Sequence, residues 1–268
     1  FNLLFKKSQS LLALLVLVVV LSFVTDKFLT ANNIWNVLRQ ISVNVCLSLG
    51  MTLVILTAGI DLSVGGIVGL TGAICAGVLK NGIAIPSFDL WIGFTVFGAI
   101  VAALLVGAFI GGINGMLVTT FSVPPFVTTL AMLTIARGAT FLYTDGKPIS
   151  NLGSTFEKIG AAWFIGMPVP VWITILLVIL FVIIVGKTSF GRYIYAIGGN
   201  EKAARLSGIS INRVKWFVYV ISGIMAAIGG VLVTSRLNSA QPNAGMNYEL
   251  DAIAAIVIGG ASLSGGRG

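Results

Sequence analysis

Val171-Trp172-Ile173-Thr174-Ile175-Leu176-Leu177-Val178-Ile179-Leu180-Phe181-Val182-Ile183-Ile184-Val185 contains no charge, and Thr174 is its one hydroxyl. A barrel strand in a membrane would alternate polar and apolar residues over about ten positions. This stretch does not alternate, so it reads as a helix. With its apolar neighbours it approaches the ~20 residues needed to cross a ~30 Å hydrocarbon layer. Every backbone N–H and C=O inside lipid must be satisfied within the protein, which leaves a helix bundle as the architecture.

Similar stretches recur along the chain. Spans are predicted near 11–25, 41–58, 63–79, 91–111, 124–143, 168–186, 216–234 and 251–265, eight in all. Hydrophobic residues make up 57% and charged residues 9%, and the mean hydropathy is +1.05. A soluble domain carries roughly a quarter charged residues, so a water-soluble surface cannot be built from this inventory. The expected fold is an all-α, polytopic transmembrane helix bundle forming a single domain over residues 1–268.

Lys6 and Lys7 ahead of Leu11 to Val24 look like a signal-peptide start, yet no small-x-small cleavage pattern precedes Asp26. The stretch therefore reads as a retained first helix. Thr30 to Gln40 places Ile34, Trp35 and Leu38 among Asn and Arg, the pattern of a short amphipathic segment at the membrane surface, anchored by Trp35. Pro124 and Pro125 mark a helix start, where missing N–H groups cost nothing.

The formal charge is +8, from 16 Lys+Arg against 8 Asp+Glu. A nucleic-acid partner would need a clustered soluble face, whereas inward-facing loops of membrane proteins collect Lys and Arg. The loop from Lys187 to Lys215 holds Lys187, Arg192, Lys202, Arg205, Arg213 and Lys215 against Glu201 alone. With Lys6 and Lys7 inside, an alternating path places this basic loop inside as well.

Within the spans, Gly65 and Gly69, Gly107 and Gly111, and Gly111 and Gly115 stand four apart. This spacing lets helix backbones approach closely in lipid. A faint repeat matches Gly59, Gly65 and Gly66 to Gly259, Gly265 and Gly266. Cys46 and Cys75 lie in apolar runs without CxxC spacing, the chain has no histidine, and both cysteines read as small packing residues rather than zinc ligands.

Ala58-Gly59-Ile60-Asp61-Leu62-Ser63-Val64-Gly65-Gly66 sets a carboxylate, a hydroxyl and three glycines in an apolar landscape. Two readings of Asp61 stand together. It can cap the following helix from the membrane edge, or, with Ser63, border a transport path, since an acid at membrane depth needs a reason. No metal site is expected. Gly186-Lys187-Thr188 resembles the end of a phosphate-binding loop, but Phe181 stands where the first glycine is required. The chain is therefore not expected to be an enzyme or to hydrolyse ATP.

The inner loop reads Gly199-Asn200-Glu201-Lys202-Ala203-Ala204-Arg205-Leu206-Ser207-Gly208. Asn200 can cap a short helix, Glu201 suits its first turn and Gly208 its end. A short capped helix on the inner face is a docking element, and an ordinary solvated basic loop is the alternative.

Through Ala58 to Gly65, Arg192 to Ile209 and Leu237 to Gly260, and more loosely through Gly50-Met51-Thr52-Leu53-Val54-Ile55, the sequence resembles the ribose-type permeases of bacterial ABC importers, in the branched-chain amino acid and monosaccharide permease family. The resemblance implies a bacterial cytoplasmic (inner) membrane protein that moves a monosaccharide, ribose first. It implies cytoplasmic ATPase subunits carrying ATP and Mg, an extracytoplasmic sugar-binding protein and a second permease copy, most simply a homodimer. Gly199, Asn200, Glu201, Ala204, Arg205, Leu206 and Gly208 would form the coupling helix, and the outer loops Thr144 to Pro148 and Ser239 to Glu249 would receive the binding protein. Members of that family continue for two more spans, to ten, so the resemblance also implies a sequence truncated at its C-terminus. The rival is a secondary, ion-coupled transporter. Its usual sign is a set of acids within spans, and here only Asp61 and Asp251 come near, both at span edges.

Overall fold

The computed structural model describes residues 9–85 and 89–268. Lys6 and Lys7, on which the inward placement of the N-terminus leans, lie outside the described residues. Contacts divide the chain into two units, Phe1–Ile41 and Ser42–Gly268.

In the first unit, helix α1 covers Gln9–Val24. Its 16 residues begin at the first described residue. A turn follows, held by Thr30 Oγ1 donating to the Lys27 carbonyl and Asn33 Nδ2 to the Phe28 carbonyl, both at 2.8 Å. Helix α2 then runs unbroken over Ala31–Leu56. The expected surface segment and second span are thus one helix. No proline falls between Thr30 and Leu56, and the first glycine is Gly50, so nothing in the backbone stops it.

The second unit contains the later half of α2, then α3 (Val64–Asn81), α4 (Val96–Thr119), α5 (Pro125–Thr144), α6 (Ser154–Ala161), α7 (Val169–Lys187), α8 (Ser189–Gly199), α9 (Glu201–Leu206), α10 (Ile211–Leu237) and α11 (Tyr248–Ile258). Among the described residues six helices, α2, α3, α4, α5, α7 and α10, are long and apolar enough to cross a membrane. The predicted span at 251–265 is instead an 11-residue helix followed by turns. The predicted start at 91 also moves. Leu90–Ile92 (β2) pairs antiparallel with Ile83–Ile85 (β1), and α4 is capped by Thr95, whose Oγ1 accepts from Gly98 N at 3.2 Å. Pro125 opens α5 as expected.

Helices α3 and α10 form the centre: 72% of each span is buried, against 17% for α7. Leu176, Ile179, Val182 and Ile183 of α7 are exposed, the all-round apolar surface of a lipid-facing helix. The α4–α10 contact is built on small residues. A Cβ on Gly107 would meet the Gly223 carbonyl, and one on Gly111 the Tyr219 carbonyl. A side chain on Gly115 would reach the Trp216 Cα at 3.0 Å. The glycine spacing seen in the sequence therefore marks a helix seam, as backbone approach in lipid requires.

The connections sort onto two ends. At one end Lys80 Nζ donates to the Ser150 carbonyl at 2.7 Å, and Ile149–Ser150 (β3) pairs with Ser239–Ala240 (β4). At the other end lie the α2–α3 connector, the α8–α9 hairpin and the last residues: Gly266 N donates to the Leu56 carbonyl at 3.0 Å, and a Cβ on Gly198 would strike both groups. The two turns of the faint glycine repeat thus touch. They also share a local device, since Ser63 N donates to Asp61 Oδ1 and Ser264 N to Ser262 Oγ, each two residues back.

Candidate functional site

Helix α2 ends in a left-handed turn. Ala58 has φ +59°, Ala58 N donates to the Ile55 carbonyl at 2.9 Å, and Gly59 N donates to the Val54 carbonyl at 3.0 Å, which satisfies the last carbonyls of the helix. Gly59 is required by its neighbour: a Cβ there would stand 2.8 Å from the Tyr219 hydroxyl. The chain then presents Asp61 inward, fully buried.

Asp61 Oδ1 accepts from Ser63 N at 3.0 Å and from Ser63 Oγ at 2.5 Å, and Oδ2 accepts from Ser222 Oγ of α10 at 2.7 Å. Asn114 Nδ2 of α4 donates to Ser63 Oγ at 2.8 Å. Thr129 Oγ1 of α5 donates to the Ile60 carbonyl at 3.2 Å. Around one carboxylate the connector is therefore bonded to α4, α5 and α10. Charge-assisted donors of this kind offset much of the cost of enclosing a carboxylate. Asp61 bonds the N–H of Ser63, the residue that opens α3, rather than the N–H groups of the first turn. Asp61 and Ser63 are brought together as the sequence suggested, and both are wholly enclosed.

The inner loop forms the predicted short helix. Asn200 Oδ1 accepts from Ala203 N at 3.0 Å, closing the start of α9, and Gly208, at φ +83°, ends it. Glu201 holds Lys215 of α10 at 2.6 Å and Arg205 at 3.6 Å. Ala204 is buried against the core that contains Ile194, Ile197 and Val218. Leu206 is 90% exposed, an apolar side chain projecting from a charged hairpin. Lys215 and Ser222 stand seven residues apart on α10, on one helix face and about 10 Å apart along the axis. The hairpin salt bridge and the Asp61 network are thus two points on one rod.

Two polar residues escaped the sequence reading. Arg137 lies inside the α5 span and donates to the carbonyls of Ala244 at 2.6 Å and of Pro242 and Gly65 at 3.4 Å. Glu249 is buried in the first turn of α11, and a Cβ on Gly65 would collide with its carboxylate. A lone arginine within an apolar span was the available signal. Between them, residues 239–247 pack along α3. Ala240 packs with Ala73 and Ala76 of α3, and the carbonyls of Ala244 and Gly245 lie against Gly69 and Gly65. The segment descends along α3 as non-helical backbone. Such backbone is tolerated at membrane depth where protein encloses it or a cavity borders it.

The geometry finds its context in known proteins. Over 98% of the chain and 79% of the relative, the sequence is 46% identical to the ribose import permease protein RbsC of Haemophilus influenzae, and equally identical, with the same coverage, to RbsC of Bacillus subtilis. The D-allose transport system permease protein AlsC of Escherichia coli is 38% identical over 91% of the chain and 72% of its own length. No solved structure matches. Residues 33–266 match the branched-chain amino acid transport system permease component. With six span-length helices and that match, the chain is a multi-pass membrane protein that belongs to the branched-chain amino acid transport system permease family.

Proposed function

We propose that this chain is the membrane-spanning subunit of an ATP-driven importer that moves a monosaccharide, ribose first, across a bacterial inner membrane. The observation that carries the reading is the 46% identity to ribose import permeases over 98% of the chain, in two bacteria, against 38% to the D-allose permease. In this reading ATP and Mg are bound by separate cytoplasmic subunits, a soluble binding protein delivers the sugar to the outer face, and two copies of the permease pair around the path.

Helix α9 is the contact for the ATPase, formed by Gly199, Asn200, Glu201, Ala204, Arg205, Leu206 and Gly208. Three features support this: the exposed Leu206, which a partner would cover, the exposed Arg205, and a cap that keeps the helix formed before docking. A push on α9 passes through Glu201–Lys215 and buried Ala204 into α10, and α10 carries it to Ser222 and Asp61. Asp61 and Ser63 border the sugar path in the state that follows, when α10 slides against α3 and opens their shared network. Normal uptake by Asp61→Ala at normal protein level would remove Asp61 from that role.

The test of the whole reading is ribose uptake into proteoliposomes that contain the permease and its ATPase subunits. Uptake that requires both internal ATP and external binding protein supports it. Uptake driven by a proton or sodium gradient without ATP would assign the chain to secondary transport instead.

A further inference from the structure

A cavity of about 470 Å³ lies between α5 and the start of α11, with Thr134, Arg137 and Phe141 on one wall and Asn247 and Glu249 on the other. Its volume falls in the range of pockets that take small ligands. Its chemistry differs from that of the apolar groove formed by Trp172, Leu176 and Ile179 on the lipid-facing α7. Here a guanidinium, a carboxylate, an amide, a hydroxyl and an aromatic ring converge within an otherwise apolar bundle.

Arg137 and Glu249 both line this cavity, and no salt bridge within 4 Å joins them. Among the described residues the ion pairs within 4 Å are those of Glu201 with Arg205 and Lys215. Arg137 spends its donors on the backbone carbonyls of Pro242, Ala244 and Gly65. Glu249 is buried, and its Oε2 has no hydrogen-bond partner. Opposite charges at membrane depth ordinarily neutralise each other by direct contact. A ligand with hydroxyls suits such a lining, since each hydroxyl can donate to the carboxylate and accept from a guanidinium N–H. Asn247, held at φ +64° where the chain turns into α11, adds an amide at the rim. Phe141 supplies an apolar face of the kind that lines small-molecule pockets. The wall is non-helical chain opposite a helix, as in transporters whose substrate sites sit at interrupted helices.

We infer that this cavity is a monosaccharide subsite on the transport path, with Arg137 and Glu249 as its charged hydroxyl ligands and Asn247 and Thr134 at its rim. The inference rests on the sugar-importer reading and adds where the permease itself touches the solute.

The experiment uses the assembled permease–ATPase complex with its binding protein in proteoliposomes, and ribose as the probe. Wild-type uptake is established first. Thr134 is exposed, and Cys46 and Cys75 are buried, so a Thr134→Cys complex offers one accessible thiol to a small water-soluble methanethiosulfonate. Ribose is expected to slow its modification, and Glu249→Gln in the same background to abolish that protection. Glu249→Gln and Asn247→Gly, the latter compatible with the left-handed backbone, are expected to lower ribose uptake roughly tenfold, the scale of one lost hydrogen bond to a charged group. With wild-type uptake intact, a thiol that ribose does not protect overturns the subsite, as does wild-type uptake by both variants. If the wild-type complex moves no ribose, the importer reading fails first and the subsite falls with it.

Discussion

Ser222 donates to the Asp61 carboxylate at 2.7 Å across 161 positions of sequence, which fixes the centre of α10 to the connector before α3. Both residues are wholly buried, so neither has water as an alternative partner. The bond ties α10, one of the two most enclosed of the six span-length helices, to the point where the chain leaves regular structure.

Ser222→Ala is therefore expected to destabilise the permease by about 1–3 kcal/mol, the cost of leaving a buried acceptor one donor short. Thermal unfolding of the purified protein in detergent measures this. An unchanged midpoint would mean that the carboxylate does not depend on α10.

The seam between α4 and α10 gives a second expectation. Gly223→Val would drive a side chain into the Gly107 carbonyl and the Gly111 amide, at a cost of about 1–3 kcal/mol or more from overpacking. Gly186→Ala meets nothing within 4 Å and should be neutral or slightly stabilising, since alanine is the better helix former. Folded yield by size-exclusion profile separates the two. Equal yields would show that the seam is looser than the backbone contacts indicate.

Local signals were legible in the sequence and distant ones were not. Asn200 as a cap, Gly208 as a stop and Pro125 as a helix start each depend on residues within a turn of themselves, and all stand where the pattern put them. Asp61 could be singled out because a carboxylate among apolar residues is conspicuous. Its partner Ser222, and Asn114, which bonds Ser63, could not, because a polar residue in a span does not reveal which helix it faces. The eighth span was misjudged for a related reason. Apolar composition from 251 onward suggested a full crossing, but residues 239–247 already descend along α3 and leave α11 only 11 residues. Arg137 was within reach of the sequence, since a cation inside a span is as informative as an acid.

The cap of α9 predicts a dynamic effect. Asn200→Ala removes the side-chain acceptor for Ala203 N, worth about 1 kcal/mol, and should speed hydrogen exchange over residues 201–206 while leaving α10 protected. Asn200→Asp should restore the slow rate. Equal exchange in all three proteins would show that tertiary packing, rather than the cap, holds the helix.

Glu201→Ala combined with Arg205→Ala should leave stability within about 1 kcal/mol, because these ion pairs are partly exposed and solvent screens them. Transport should respond differently: ATP hydrolysis by the assembled complex continues while sugar uptake falls. Uptake at the wild-type level with both side chains removed would count against α9 as the element that carries the stroke.

Coupling to an ATPase requires the basic hairpin to face the cell interior, because only there can an ATPase reach α9. Lys202 is exposed on that helix, and the native cysteines are buried, so Lys202→Cys gives one reporter thiol for a membrane-impermeant maleimide. Labelling in inside-out vesicles and none in intact cells is the predicted result. Labelling of intact cells from outside would contradict it, and with it the coupling of this permease to a cytoplasmic motor.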